Sequence, residues 1–443
     1  MIFTQAVERN AIIYGDKTAT IFNERKHTWG EFKDRVSKLA KGILNQGVQS
    51  GDRVAVLALN SDRYLEFYYA CAWAGVVMVP LNIRWSVNEN QYAYNDAGAT
   101  ILFVDDMFLP MAKDIAPNHT LIYMGESDTP VGMIGYEDLI ANSQSINSYD
   151  AKPTDMLGIY YTGGTTGFPK GVMLSHQNVW SSAFSILMEL RLKEREHPMM
   201  MVAGPMFHLA AGAMCWASVI GGVTLTIVPA FNVEQVLAVI ARDKVTDTLL
   251  VPTMINMLLA DEGLKSADIS SLQQIIYGAS PMPEGTLLEA MEKMPTVGFC
   301  QAYGQTEMSP VCSVLPPEYH VLSGEKSGRI RSAGQATYTL QLEIKDQNGN
   351  ALGPHQVGEI CVKGANVMMG YWNNEEQTAA AIKDGWLHSG DAGYVDEEGF
   401  IFLVDRVKDM IISGGENVFS AEVESAVSKH PVVHEVAVIG IPS

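Results

Sequence analysis

Between residues 28 and 47 apolar side chains recur every three or four positions, at Phe32, Val36, Leu39 and Ile43. That spacing lines one face of an α-helix. Thr28 followed by Glu31 is a capping box, in which each side chain reaches the other residue's backbone N–H, and Gly47 closes the helix. The helical period is then lost in 53–59 RVAVLAL, which reads as a strand. A second helix is expected from about Ser61, a strand at 76–81 VVMVPL, a second capping box at Ser86 and Glu89, and a strand at 100–106 TILFVDD. Strands alternating with helices imply a parallel sheet covered on its faces. No Gly-X-Gly-X-X-Gly follows any of these strands, which argues against a dinucleotide fold.

The run 199–231 holds no charged residue and on length alone would suggest a membrane span. Pro205, Pro229, four glycines and His208 interrupt it, and it divides into a strand (MMMVAG), a helix and a second strand (VTLTIV). Strands covered on both faces read as continuous apolar runs, so this is expected to be buried core. From about Gly334 the pattern changes to short strands, 340–346 LQLEIKD, 358–364 GEICVKG and 399–405 GFIFLVD, joined by Gly, Asn, Asp and Glu turns. These predict a small antiparallel, barrel-like subdomain.

Composition adds bounds. A chain of 443 residues with 47% hydrophobic content can bury a large core in more than one domain. A formal charge of −20 argues against nucleic acid as a partner and requires any anion site to be locally basic. The five cysteines are scattered with no Cys-X-X-Cys pair, as expected of a reduced, cytoplasmic protein without a zinc site. Glu8 and Arg9 precede any apolar run, so no signal peptide is expected.

The most chemical stretch is 161–171 YTGGTTGFPKG, behind the apolar strand LGIY. Glycines let backbone N–H groups approach a phosphate closely, threonine hydroxyls add donors, and Lys170 adds positive charge. It is not the NTPase loop, because Pro169 precedes the lysine and Gly171 follows it, with a strand (VML) before a helix near Ser175. Such composition alone also suits an ordinary turn.

Further motifs follow in order: GAS at 278–280, QAYGQTE at 301–307, HSGDAGYVDEEGF at 388–400 and DRVKDMIISGGENVFSAEVE at 405–424. Together with the loop they resemble the signatures of the acyl-adenylate-forming superfamily, and the chain is most similar to its fatty-acyl-CoA synthetases along essentially its whole length. The resemblance implies an α/β fold: a large AMP-binding domain (1–405) of two parallel-type sheets with covering helices, with the barrel-like subdomain at about 334–405. A hinge at 406–409 and the start of a truncated α+β lid at 410–443 would follow.

The resemblance also implies roles. Thr162, Gly163, Gly164, Thr165, Thr166, Gly167 and Lys170 would hold the β- and γ-phosphates of ATP, with Gly163 where the family usually has serine. Thr306 would donate to the α-phosphate and Glu307 would ligate Mg²⁺. Tyr303, within Gln301, Ala302 and Gly304, would stack on adenine. Asp391, after Ser389 where threonine is usual, and Arg406 would bind the ribose. His208 would stand near the acyl carboxylate, and Gly278, Ala279 and Ser280 would form a pocket wall. Lys408 would sit at the hinge, and Gly414 and Gly415 would pass the pantetheine arm of CoA.

The implied activity is coupling of a carboxylic acid to AMP with loss of pyrophosphate, then transfer to CoA. A medium- or long-chain fatty acid is favoured, ahead of a short or aryl acid. No acidic residue in the expected pocket segments pairs with an amino group, which argues against an amino-acid substrate. A carrier-protein acceptor, a luciferase-type oxygenase, a binding module without turnover and peripheral membrane contact stay open, and oligomeric state is unreadable. The family's lid lysine has no counterpart here, so slow adenylation is expected.

Overall fold

In the strand Arg53–Leu57, Val54 and Val56 enter one apolar core while Ala55 and Leu57 enter another. Alternation of side chains across a strand therefore feeds two layers at once, and no face is left polar. The computed structural model describes residues 1–163 and 168–407, the backbone of 411–413 and 416–418, and six single positions between 423 and 439.

Two large sheets carry the chain. The first has eight strands, in the order Gly370–Tyr371, Lys170–Ser175, Met156–Thr162, Val77–Pro80, Arg53–Leu57, Ala99–Val104, Thr120–Tyr123 and Ile134–Gly135. The second has nine, with Met199–Val202, Thr224–Ile227, Asp247–Leu249, Gln274–Gly278 and Gly298–Gly304 among them. Both are parallel through the middle; the first is antiparallel at its Gly370–Tyr371 edge and parallel at the other, the second antiparallel at both edges, so the parallel-type expectation is refined to mixed sheets. The cause is local: 162 and 170 pair across a hairpin, and a hairpin can only return antiparallel.

The helices Trp29–Leu44, Asp62–Ala74, His176–Glu189 and Leu209–Gly221 contribute to one core that both sheets share. Val87–Ala97 and Leu109–Ile115 cover the outer face of the first sheet, and Val233–Asp243, Pro252–Ala260 and Glu284–Lys293 that of the second. Every residue of Asp62–Ala74 is buried. Its two carboxylates are paired: Asp62 with Arg25 at 2.6 Å and Glu66 with Arg35 at 2.6 Å. Unpaired, either charge would cost several kcal/mol, on the order expected for a buried ion.

Both capping boxes form, at Thr28 and Ser86, and Ser175 caps His176–Glu189. The run 199–231 divides into strand, helix and strand, and among the described residues no helix is long and apolar enough to cross a membrane. The small subdomain is antiparallel, built from Leu340–Lys345, Gly358–Gly364, Ile382–Lys383, Trp386–Val395 and Ile401–Arg406. Ile344, Ile360, Ile401 and Ala333 form its own small core.

Candidate active site

The parallel strands Gln274–Gly278 and Gly298–Gly304 lie side by side, pairing Tyr277 with Gln301 and Gly278 with Ala302. Their carboxyl ends therefore bring 278–280 beside 301–304, where open α/β sheets bind ligands. Space there is tight: a Cβ on Gly304 would stand 1.9 Å from the Pro310 carbonyl oxygen. Ala279 adopts φ +63°, a conformation side chains rarely take.

Asp391 lies on Trp386–Val395, directly paired with Arg406 on Ile401–Arg406. Arg406 Nε donates to Asp391 Oδ1 at 2.9 Å, and the Tyr303 hydroxyl donates to Oδ2 at 2.6 Å. Burial raises the Asp391 carboxyl above its ordinary value, opposed by the Tyr303 hydrogen bond and the Arg406 charge. Both oxygens thus already have one donor each, and each keeps a lone pair for a further hydroxyl. Burial, reinforced by Cys312 and Asp391, raises the Tyr303 phenol, so it stays a donor.

Thr306 and Glu307 follow in a short 3₁₀ turn, Thr306–Met308. Glu307 Oε1 accepts from the Tyr371 hydroxyl at 2.8 Å, while its Oε2 and the Thr306 hydroxyl have no partner among the described residues. The Lys170 ammonium lies over the Tyr371 ring, 5.4 Å from its centre. Tyr371 therefore joins the phosphate-loop cation to the carboxylate expected to hold a metal. Its strand, Gly370–Tyr371, is hydrogen-bonded to Lys170–Ser175, which fixes that position.

Thr162 and Lys170 form the last pair of their hairpin, so Lys170 opens the outgoing strand instead of lying inside the loop. Among the described residues, nothing stands within 4 Å of a Cβ placed on Gly163. Gly164, Thr165, Thr166 and Gly167 lie outside the described residues, as do Lys408, Gly414 and Gly415.

His208 caps the helix Leu209–Gly221, its Nδ1 accepting from the Ala210 N–H at 3.3 Å. An accepting Nδ1 leaves the ring proton on Nε2. The His208 side chain is solvent-exposed, and desolvation by the protein beside it and the nearby Arg84 charge lower its pKa, which favours the neutral ring and leaves Nε2–H as a donor.

The sequence reading missed three supports. Tyr371 is one; Glu359, which bonds to His388 and Gly390, is another. The third is Asn366, whose amide donates to the carbonyls of Met308 and Val311 beside Glu307. Glu359 lies in the expected strand 358–364, and Tyr371 and Asn366 lie in no expected element; no local pattern in any of them points across 30 to 60 positions to the site.

This convergence of nucleotide-type groups has a match among known families. The family model described as AMP-binding enzyme fits residues 7–372. The chain belongs to the AMP-binding enzyme family. Two relatives are a feruloyl-CoA synthase of an Amycolatopsis species, 37% identical over 423 residues (94% of this chain, 80% of the relative), and the fatty acid–[acyl-carrier-protein] ligase ScoC of Streptomyces coeruleorubidus, 33% identical over 435 residues (96% and 80%). Among solved structures, the o-succinylbenzoate coenzyme A synthetase (MenE) of Bacillus subtilis, in complex with ATP and a magnesium ion, superposes with a TM-score of 0.85 at 31% identity, covering 99% of this chain and 87% of that one. At the level these relatives share, this AMP-binding enzyme is an acid–thiol ligase; the thiol is CoA in two of the three and a carrier protein in the other, and the identity of its acid is a separate question.

Proposed function

We propose that this enzyme activates an apolar monocarboxylic acid, of medium or long aliphatic chain, with ATP and Mg²⁺ to an acyl-adenylate, and passes the acyl group to CoA. The observation that carries the reading is the convergence of Asp391, Arg406 and Tyr303 from one side with Glu307, Tyr371 and Lys170 from the other. One group suits a ribose and a base, and the other a charged polyphosphate with its cation.

ATP would enter with its ribose hydroxyls donating to Asp391 and its adenine against the Tyr303 ring, whose tilt the Asp391 bond fixes. The 162–170 loop with Lys170 would hold the β- and γ-phosphates, and Thr306 would donate to the α-phosphate. A hard cation at Glu307 Oε2 would screen phosphate charge as pyrophosphate leaves. His208 Nε2–H would hold the acid's carboxylate in line for attack on the α-phosphorus, so that positioning does most of the chemistry.

The segment 205–221 supplies Ala210, Ala211 and Gly212 beside His208 and holds no charged side chain, which fits an apolar acid. A second reading, an aryl acid, rests on what lies behind. A Cβ on Gly212 would meet Trp216 and the Tyr68 hydroxyl at 3.3 Å, and both aromatics are fully buried. A floor that close favours a compact ring, as in the feruloyl-CoA synthase named above.

A panel of acids from acetate to palmitate, with benzoate and cinnamate, incubated with ATP, Mg²⁺ and CoA and read by mass spectrometry, tests the proposal. Acyl-AMP and acyl-CoA peaking at six or more aliphatic carbons are expected on the first reading, and at the ring acids on the second. Acyl-AMP from none of them would overturn both.

A further inference from the structure

The strand that carries Asp391 is not regular. Against Gly358–Gly364 it pairs His388 with Cys361 and Ala392 with Glu359, so Ile360 alone faces Ser389, Gly390 and Asp391. Two extra residues are thus inserted in the strand where the carboxylate must be aimed. Such a bulge re-directs side chains, and it also takes backbone groups out of the ladder. Gly390 takes φ +74°, and its N–H needs another acceptor.

Glu359 supplies it. Its Oε1 accepts from the Gly390 N–H at 2.9 Å, and its Oε2 accepts from His388 Nδ1 at 2.7 Å. The glutamate therefore spans the bulge, fixed at its base by the ladder and at its tip by His388. Other bonds close the remaining freedom: Gln305 Nε2 donates to the Ser389 carbonyl at 3.1 Å, and the Val407 N–H to the Gly390 carbonyl at 2.9 Å. Glu359, Cys361 and His388 bring ligand-type atoms within 4.8 Å of one another. With both carboxylate oxygens engaged, the cluster is satisfied as it stands and needs no cation to explain it.

We propose that Glu359 is a positioning residue for nucleotide binding: with His388 it clamps the 389–391 bulge and so holds Asp391 at the ribose hydroxyls. Glu359 touches no substrate. This rests on the reading of Asp391 as the ribose acceptor, and it goes beyond it by naming what aims that carboxylate. Loss of the clamp lets the bulge relax, which weakens the bonds that Asp391 makes and spares contacts made elsewhere on the nucleotide.

The test compares AMP with 2′,3′-dideoxy-AMP by isothermal titration on the full chain, with thermal melting of each variant. The unaltered protein is expected to prefer AMP about a hundredfold, the factor for two hydrogen bonds to a charged group at about tenfold each. Glu359→Ala is expected to lose most of that preference by binding AMP more weakly, with dideoxy-AMP affinity unchanged. Glu359→Asp keeps the charge but is too short to bridge both partners, and is expected to lose it in the same direction. It decides the matter if the alanine variant melts before ligand is added. Equal weakening of both nucleotides, or an undiminished preference in the folded variants, would overturn the clamp. No preference in the unaltered protein would instead overturn the ribose reading of Asp391, and the clamp's role with it.

Discussion

The Tyr371 hydroxyl does for Glu307 what a neighbouring peptide cannot: it occupies one carboxylate oxygen and leaves the other for a cation. Burial and the Glu307 charge raise the Tyr371 phenol, which keeps it protonated and donating. Tyr371→Phe removes one hydrogen bond to a charged group, so Mg·ATP affinity is expected to fall about tenfold. Titration of Mg²⁺ at fixed ATP would show the midpoint moving up, with AMP affinity measured without metal unchanged. His208 makes a separate prediction, because its neutral ring is held as an Nε2–H donor. His208→Ala is expected to raise KM for the acid more than KM for ATP, about tenfold for one lost bond to a carboxylate. Equal changes in both would place His208 in the fold and not at the acid.

At the scale of elements, the parts legible in the sequence are those set by neighbours along the chain. The boxes at Thr28 and Ser86, the helix start near Ser175 and the strand–helix–strand reading of 199–231 all follow from local spacing. Thr28→Ala is expected to cost about 1 kcal/mol, measured as a shift in the urea midpoint. The motif residues Tyr303, Asp391 and Arg406 were legible as a set, and the structure brings them into one cluster. Their bonding was not legible. The Tyr303 phenol binding Asp391, Glu359 bridging a bulge and Tyr371 reaching Glu307 all depend on register between distant strands, and sequence spacing carries no register. The antiparallel sheet edges were missed for a related reason, since a hairpin closed by a long glycine-rich loop does not announce itself as a turn. Gly304 shows how little slack the arrangement has. Gly304→Ala puts a methyl against the Pro310 carbonyl, and is expected to destabilise the fold by about 2 kcal/mol or more and to slow adenylation.

The two large sheets share one core and each has a helix-covered outer face, and burial on that scale makes stability depend on pH. His176 accepts the Phe3 N–H on Nδ1, and His320 takes the Tyr277 hydroxyl on Nε2 while facing the Pro316 carbonyl through Nδ1. Burial lowers both to about 4, so each is neutral in the folded protein over the range where an exposed histidine would be charged. Between pH 6.5 and 4 the unfolded chain binds the extra protons, so stability is full above 6.5 and falls as the pH drops towards 4. Each histidine contributes about 3 kcal/mol to that loss. Urea midpoints at pH 7 and pH 5 should differ, and His320→Gln should flatten the difference.

Adenylation at the convergence of the three sheets is tested most directly by acid-dependent exchange of labelled pyrophosphate into ATP, which reads the first half reaction without CoA. Exchange is expected with apolar acids only, and Glu307→Gln is expected to reduce it by about a hundredfold or more. Exchange that no acid elicits, or that Glu307→Gln leaves intact, would contradict the account.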